Sequence, residues 1–333
     1  MNIVNPEIVE QFSKFTVLVI GDVMVDQYIW GKVDRISPEA PVPIVQVTKR
    51  EERLGGAANV ALNLKKLGAN TIIASVIGND IRAKKFKDLC NENGIKIDGL
   101  IQTNTRQTTA KTRIIGHSQH LLRVDEENDT PINNQDETLL INQILKILEN
   151  NDVSAIIFED YDKGVITPNL INLIIKVANE KNIPVTVDPK HRNFNNYINC
   201  DLFKPNLKEL TAGLKVDINK NTIREQLPDI CNAFMKEKKH KLLMVTLSEN
   251  GIFITNNKEW YFSPAKVREL ADVSGAGDTV IAIATLALVN NLNMQDIANI
   301  SNIAAGIVCE KVGVVPITKD ELKKRLYEEI FTD

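Results

Sequence analysis

The segment that most constrains the fold of this chain is residues 272–279 (DVSGAGDT), which open a long apolar helical pattern over residues 280–292. Gly275 and Gly277 carry no side chain, so the backbone there can approach a ligand closely. The free N–H groups of a first helical turn, with the positive end of the helix dipole, bind anions. The segment therefore predicts that Gly275, Ala276 and Gly277 form a phosphate or oxyanion site.

Asp278 is the acidic residue beside this predicted anion site. A carboxylate repels a neighbouring phosphate, so its presence is explained if it takes a proton from an attacking hydroxyl group. An aspartate in the first turn of a helix also serves as an ordinary cap. On the motif alone, catalysis and capping explain Asp278 equally well.

The composition of the chain excludes several classes of protein. A chain of 333 residues with 43% hydrophobic residues can bury a sizeable core. The net charge is −3 and the basic residues are scattered, so we expect no nucleic-acid partner. Pro6, Glu7 and Glu10 precede the first apolar run. We therefore expect no signal peptide and no membrane partner, and the predicted location is the cytoplasm.

The cysteines and histidines show neither a metal pattern nor a disulfide pattern. The cysteines are far apart and form no C-x-x-C pair, so we expect buried thiols rather than structural zinc or disulfides. No histidine has the spacing of a metal ligand, and a lone histidine is more often structural. The residues are Cys90, Cys200, Cys231 and Cys309, and His117, His120, His191 and His240.

The hydrophobic periodicity predicts an α/β fold. Residues 16–21 (TVLVIG) form a short β-branched run that ends at a glycine, as buried strands of parallel sheets do. Strand-like and helix-like segments then alternate, which predicts a doubly wound, mostly parallel sheet with helices on both faces. Residues 26–50, with three prolines, and residues 104–126, with a hairpin around 116–119, are predicted to form a small β lid. We expect one domain over residues 1–333.

Polar side chains follow several of the predicted strands. Ligands of open α/β sheets bind beyond the carboxyl ends of the strands, so these side chains are candidates for one shared cleft. Asp22 is also explained by turn chemistry, and each lysine by a solvated surface position. The candidates are Asp22, Asp26, Glu159, Asp160, Lys163, Asp188, Lys190, Asn206 and Glu209.

Two further groups of residues complete the candidate site. Residues 55–59 (GGAAN) open a second helix with small residues, so that backbone N–H groups and the Asn59 amide can face a polyhydroxy ligand. Close helix–sheet packing also selects such residues. Lys111, Arg113 and Arg123 lie on the predicted lid ribbon, where they would bind a substrate phosphate or merely protect an edge strand from pairing.

Four of these segments together resemble the ribokinase-like (PfkB) sugar kinases along nearly the whole chain. The last segment is the most specific of them. The resemblance implies a ribokinase-like fold, ATP as phosphate donor, a Mg²⁺ ion and, as in many members, a K⁺ ion. The segments are residues 21–26, residues 55–59, Asn206-x-x-Glu209 and residues 272–278.

A local match narrows the subfamily. Residues 35–43 (RISPEAPVP), followed by residues 51–53 and the glycine pair, closely resemble the heptose 7-phosphate kinases of bacterial ADP-heptose synthesis. This implies transfer of the γ-phosphoryl group of ATP to the anomeric hydroxyl of D-glycero-β-D-manno-heptose 7-phosphate. Many relatives carry a fused adenylyltransferase. This sequence ends at Asp333, so we expect no fused adenylyltransferase and a separate one in the same pathway. Relatives also suggest a homodimer.

The resemblance implies roles for individual residues. Asp278 would be the base, and Gly275, Ala276 and Gly277 would form the anion hole. The substrate is assigned Asp26, Gly55, Gly56, Asn59 and Asp160, and its 7-phosphate is assigned Lys111, Arg113, Arg123 and Lys163. The nucleotide is assigned Lys190, Asn206, Glu209, Asn302 and Ala305, with Glu209 holding Mg²⁺ through water and with Asp272 and Ser274 beside K⁺.

Three other functions stay open at this point. An NAD-dependent oxidoreductase also uses a doubly wound sheet, but it should show G-x-G-x-x-G directly after a strand, and residues 21–24 (GDVM) do not fit. A non-catalytic sugar-binding protein could have the same fold, although such a protein has no need of a base at Asp278. A kinase for fructose, ribose or fructose 6-phosphate is the nearest alternative.

Overall fold

The computed structural model describes residues 4–116, 119–219, 222–265 and 271–332. His117 and Ser118, at the tip of the predicted lid hairpin, lie outside the described residues. Within the described part, no helix has the length and apolar character needed to cross a bilayer.

The main sheet contains nine of the described strands and is mostly parallel. Its strands, numbered in chain order together with those of the lid, are β1 (Thr16–Gly21), β4 (Asn70–Gly78), β5 (Lys96–Thr103), β8 (Ala155–Glu159), β9 (Val185–Asp188), β10 (Leu202–Phe203), β11 (Leu242–Thr246), β12 (Ile252–Thr255) and β13 (Trp260–Ser263). The order across the sheet is β13-β12-β11-β10-β9-β8-β1-β4-β5. β12 and β13 are antiparallel to their neighbours, and the strands from β11 to β5 are parallel.

Helices cover both faces of this sheet, as the sequence predicts. They are α1 (Ala57–Lys66), α2 (Ile81–Glu92), α3 (Asn134–Asn150), α4 (Pro168–Glu180), α5 (Leu207–Leu214), α6 (Ile223–Lys238), α7 (Ala276–Val289), α8 (Met294–Cys309) and α9 (Lys319–Thr332). Short 3₁₀ helices cover Pro6–Lys14 and Ser248–Asn250. The sequence analysis missed α5 and α6. α6 contains Pro228 and several polar residues, which weaken its apolar periodicity.

Successive side chains of β1 point to opposite faces of the main sheet, and their packing partners show which helices cover each face. Val17 and Val19 pack in one apolar core with α1, α2, α7, α8 and α9, whereas Leu18 and Ile20 pack in a second core with α3, α4 and α6. All four residues are fully buried. A strand buried on both faces is apolar at every position, which explains the unbroken run in the sequence. The four cysteines are free and buried, as predicted.

The lid is a separate sheet formed by β2 (Val23–Ile36), β3 (Pro43–Gly56), β6 (Thr109–Gly116) and β7 (Gln119–Glu126), in the order β3-β2-β6-β7. It begins closer to the main sheet than the sequence predicts, because β2 starts one residue after Asp22. Asp26 therefore lies within a lid strand, paired with Arg53 and Lys111, and not at the end of β1.

Gly21, the last residue of β1, lies close to the backbone of β8. A Cβ atom at this position would lie 2.0 Å from the carbonyl oxygen of Glu159 and 3.0 Å from the Cβ of Ala57. The neighbouring atom belongs to the backbone of a central strand, so it cannot move as a flexible side chain would. This close approach brings the residues that follow both strands to one edge of the sheet.

We predict that Gly21→Ala lowers the free energy of unfolding by about 3 kcal/mol, because the new methyl group overlaps a backbone that cannot relax cheaply. Gly68→Ala is the control. Its Cβ would meet only a lysine carbon at 3.9 Å, so only the left-handed backbone (φ +100°) opposes it, at roughly 1 kcal/mol. Urea unfolding followed by circular dichroism measures both values. If both variants lost the same free energy of unfolding, the close contact between β1 and β8 would not restrict the residue at position 21.

Candidate active site

Two cavities meet at the N-terminus of α7. The larger has a volume of about 800 Å³ and lies along the ends of β9, β10 and β11. The smaller has a volume of about 170 Å³ and lies between the lid and α7. Tyr161, Gly275 and Asp278 line both cavities. Asp278 therefore faces both at their junction, where two ligands can meet.

The glycine turn before α7 has the geometry of an anion site. Gly275 is the N-cap, with a left-handed backbone (φ 81°), and has no side chain that could cap the helix. A Cβ added at Gly277 would lie 3.9 Å from both Asp188 Oδ2 and Lys204 Nζ. The first turn thus opens into the larger cavity next to a lysine, an arrangement that favours a negatively charged group.

The Asp278 carboxylate is held by side chains from two other parts of the chain. The Asn59 amide on α1 donates to Oδ2 at 2.6 Å, and the Tyr161 hydroxyl after β8 donates to Oδ1 at 2.9 Å. The side chain is 8% exposed. These two partners lie on other elements and not in the first turn of α7, which favours the base interpretation over the cap.

Burial raises the pKa of Asp278 to about 6, although the hydrogen bonds from Asn59 and Tyr161 act in the opposite direction. The neighbouring Asp188 carboxylate raises this pKa further, and the Lys204 ammonium lowers it. A carboxylate with a pKa near 6 is mostly ionised at neutral pH and is a better proton acceptor than an ordinary aspartate.

The smaller cavity brings together seven residues that the sequence assigns to the substrate. The acidic, glycine and amide residues come from β2, the end of β3 and α1, and the basic residues come from β6 and β7. They are Asp26, Gly55, Gly56, Asn59, Lys111, Arg113 and Arg123, and Ser274 also lines this cavity.

The basic residues of this cavity have acidic partners. Arg113 forms a salt bridge with Asp26, and its guanidinium lies 5.2 Å from the ring centroid of Tyr28. Lys111 lies 3.6 Å from a carboxylate oxygen of Glu127. The cavity thus presents cations whose charge is locally balanced.

Two residues assigned to the substrate lie elsewhere. The buried Asp160 carboxylate accepts hydrogen bonds from the Asn193 amide and the Tyr197 hydroxyl, and burial raises its pKa to about 7. Lys163 Nζ donates to Glu127 at 2.8 Å. Neither residue lines either cavity. Of residues 160–163, only Tyr161 lines the two cavities.

Asp22 has the turn role rather than a ligand role. It is 1% exposed, and its carboxylate accepts backbone N–H groups of Tyr161 (2.9 Å), Lys163 (3.1 Å) and Val165 (3.0 Å). Asp22 therefore fixes the loop that carries Tyr161.

The larger cavity contains all five residues assigned to the nucleotide, namely Lys190, Asn206, Glu209, Asn302 and Ala305. Asn206 and Glu209 form a reciprocal capping box at the start of α5, with both hydrogen bonds at 2.8 Å, and Lys190 donates to the Glu209 carboxylate. The Asn302 amide donates to Ser263 Oγ at 3.0 Å.

Tyr161 and Lys204 are the site residues that sequence analysis missed. Lys204 Nζ lies 2.8 Å from Asp188 Oδ2, and both side chains are buried beneath the glycine turn. Burial opposes the charge of Lys204, but the carboxylates of Asp188, Glu209 and Glu159 together outweigh burial and raise the lysine pKa. The sequence did contain a signal for Lys204, because this lysine directly follows the two apolar residues of β10, at the end of a strand where ligands bind.

The donor set of the larger cavity is compatible with Mg²⁺. Asp188 lines this cavity, and its buried Oδ1 has no hydrogen-bond partner among the described residues. The same holds for Oε2 of Glu159, which ends the neighbouring strand β8 without lining the cavity. Among the described residues, no group of three or more His, Cys, Asp or Glu side chains is placed to bind a metal by itself. Mg²⁺ usually has one or two carboxylate ligands, with waters and phosphates completing its shell.

Asp272 and Ser274, assigned to K⁺, lie in the loop before α7. The Asp272 carboxylate accepts backbone N–H groups of Ser274 (2.9 Å) and Gly313 (3.0 Å). These contacts connect the loop before α7 to the segment after α8.

Comparisons with known proteins agree with this architecture. "Bifunctional protein HldE" of Aliarcobacter butzleri is 40% identical over 312 residues, covering 93% of this chain and 64% of that protein. "Bifunctional protein HldE" of Helicobacter pylori is 36% identical over 307 residues, covering 92% and 65%. The chain thus spans slightly less than two thirds of the length of these curated relatives.

Solved structures share the fold at low sequence identity. Phosphofructokinase-2 from Escherichia coli in complex with potassium has a TM-score of 0.78 and 17% identity, covering 94% of this chain and 98% of that chain. Arabidopsis thaliana ribokinase complexed with ribose and ATP has a TM-score of 0.71 and 17% identity, covering 93% and 98%.

The family model described as "pfkB family carbohydrate kinase" matches residues 14–320, which include both sheets, the glycine turn and Asp278. The predicted family and the predicted ribokinase-like fold are confirmed, and this chain belongs to the pfkB family of carbohydrate kinases.

Proposed function

We propose that this chain is an ATP-dependent kinase that phosphorylates the anomeric hydroxyl of D-glycero-β-D-manno-heptose 7-phosphate. The product is the 1,7-bisphosphate, a precursor of ADP-heptose for the lipopolysaccharide core. The observation that carries the proposal is the position of Asp278, which faces both cavities at their junction beside the glycine turn. Family membership supports the kinase class, and the HldE relatives support the heptose acceptor.

ATP belongs in the larger cavity. Its volume of about 800 Å³ lies in the range of ligand pockets and exceeds that of the smaller cavity several-fold. Lys190 and Lys204 line this cavity, so both cations are available to the phosphates. Asn302 and Ala305 also line it, and they belong to α8 rather than to the glycine turn. We assign adenine to the α8 side and the γ-phosphate to the turn.

Phosphoryl transfer depends mainly on alignment and on neutralisation of charge. Asp278 takes the proton of the sugar hydroxyl, and the N–H groups of the turn at Gly275, Ala276 and Gly277 stabilise the transferred phosphoryl group. Asp188 and Glu209 would bind a hydrated Mg²⁺ in this cavity. When bound, that ion neutralises and orients the nucleotide phosphates. The K⁺ site at Asp272 and Ser274 is proposed on the family resemblance alone.

The acceptor is a sugar that already carries a phosphate group. Lys111, Arg113 and Arg123 converge on the smaller cavity, and guanidinium groups bind phosphate oxygens in pairs. Asn59 and the backbone at Gly55 and Gly56 also line this cavity, where they would bind hydroxyl groups. Asp26 would do so beside Arg113, with which it forms a salt bridge. Lys163 and Asp160 are not needed in this arrangement.

We also propose a homodimer that pairs through the lid. The lid strands and the loop between β2 and β3 expose several apolar side chains, whereas the inner side of the lid packs on α1 and α2. The exposed residues include Ile36 (61%), Val42 (52%), Val47 (44%), Leu122 (56%) and Val124 (42%). A second copy of the same sheet would cover this surface.

The first test measures Mg²⁺-dependent ADP release with heptose 7-phosphate, fructose 6-phosphate, fructose and ribose, with phosphorus NMR of the product. We expect turnover of the heptose and a new anomeric phosphate signal. Asp278→Asn should lower kcat by about 10²- to 10⁴-fold because the base is lost, with ATP binding retained. Asp296→Asn, outside both cavities, is the control. Preferred turnover of another sugar would discard the heptose assignment.

The second test concerns the substrate phosphate. Arg113→Gln should weaken sugar-phosphate binding by about 2 to 5 kcal/mol, because a buried charged partner of the phosphate is removed. Arg325→Gln is the matched control and should leave this affinity unchanged, since Arg325 pairs with Glu310 and lines neither cavity. Isothermal titration with the sugar phosphate measures both. An unchanged affinity in Arg113→Gln would remove this residue from the phosphate site.

The third test concerns the oligomeric state. Light scattering at micromolar concentration should give the mass of a dimer, and Leu122→Glu should give a monomer because it buries a charge in the proposed interface. Leu139→Glu is the control, since Leu139 is 47% exposed on α3, a helix that packs on β4 and β5 of the main sheet. A wild-type monomer, or a dimer that Leu122→Glu does not affect, would contradict pairing through the lid.

A further inference from the structure

We infer that Tyr161 is a positioning residue for the phosphoryl-transfer base: its hydroxyl fixes the Asp278 carboxylate towards both ligands, and Asp22 in turn fixes Tyr161. This inference rests on the proposed kinase function and adds a residue to its site. Asn59 and Tyr161 donate to different oxygens of Asp278, at 2.6 Å and 2.9 Å. Together they prevent rotation of the carboxylate about its Cβ–Cγ bond.

The position of Tyr161 is set by its backbone rather than by its ring alone. Its N–H donates to Asp22 Oδ2, which also accepts from Lys163, while Asp22 Oδ1 accepts from Val165. Asp22 is buried at the end of β1, and Gly21 permits the close approach of β8 just before this loop. A carboxylate with three backbone donors holds the loop in a single conformation.

The chemistry of the phenol group restricts its role. Burial, together with the carboxylates of Asp278 and Glu159, raises the pKa of Tyr161 well above its usual range. The hydroxyl therefore stays protonated and acts as a donor to Asp278 and not as a second base. Lys190 Nζ lies over the ring, 5.4 Å from its centroid, in a cation–π contact that also holds the ring in place.

The hydrogen bond from Tyr161 affects the pH dependence of proton transfer to Asp278. The hydrogen bonds from Asn59 and Tyr161 favour the ionised form of Asp278, and the charged groups that face it are Asp188, Glu159 and Lys204. Since the base must be ionised, activity should fall as pH drops through the Asp278 pKa of about 6. Loss of the Tyr161 donor raises that pKa, so the fall should begin at higher pH.

The test compares Tyr161→Phe with Tyr197→Phe. Tyr197 is a matched control, because it is also buried and donates to a carboxylate, that of Asp160 at 3.2 Å, outside both cavities. We expect Tyr161→Phe to lower kcat roughly 10- to 100-fold, as loss of a hydrogen bond to a charged group does, with little change in the KM for ATP. Its acid limb should move to higher pH, and that of Tyr197→Phe should not.

A second measurement uses the wild-type protein and needs no turnover. With ¹³C-labelled tyrosine ring carbons, the Tyr161 signal should titrate with the midpoint of Asp278, and Asp278→Asn should abolish that titration. An unmoved acid limb in Tyr161→Phe, or a Tyr161 signal that ignores Asp278, would overturn the inference. If no acceptor is phosphorylated but the NMR titration is present, the proposed function fails and the contact stands.

Discussion

The buried Asp278 carboxylate and its two donors are the interaction on which the site depends. Asn59 comes from α1, Tyr161 from the loop after β8, and Asp278 from the first turn of α7, so three distant parts of the chain meet at one group. A buried carboxylate without hydrogen bonds would be costly, and it would take up a proton. The two donors keep it available as a base while burial keeps its pKa near 6.

Three buried carboxylates and two lysines determine the charge around Asp278 and the larger cavity. Glu159 and Asp188 end the neighbouring strands β8 and β9, Asp278 lies in the first turn of α7, and all three are buried. Burial together with the other two carboxylates raises the pKa of Glu159 well above its usual range. Lys204 and Lys190 offset part of this negative charge. An anionic nucleotide would therefore meet lysines and helix N–H groups but also carboxylates. Such a site suits a nucleotide that arrives with a divalent cation.

Much of the site could be predicted because the glycine-rich turns and strand ends are local features. Residues 55–59 and 275–278 were assigned from the freedom of glycine and the chemistry of helix N-termini, and both segments line the cavities. Asp160 and Lys163 show the limit of such reasoning. They lie within two residues of Tyr161 in sequence, yet Asp160 is bound by Asn193 and Tyr197, Lys163 is bound by Glu127, and neither lines a cavity. Whether a residue at a strand end faces the ligand depends on backbone angles that the residue type does not reveal.

The sequence by itself determined the α/β class, the alternation of strands and helices, the family and the identity of the candidate base, because periodicity, glycine positions and motif spacing are properties of the chain alone. Only the tertiary structure decided that Asp22 supports a loop, that Tyr161 and Asn59 hold Asp278 and that Lys204 pairs with Asp188. Each of these contacts joins residues that lie far apart in sequence or on different elements. The relative placement of those elements comes from packing against the sheet, and no local pattern encodes it.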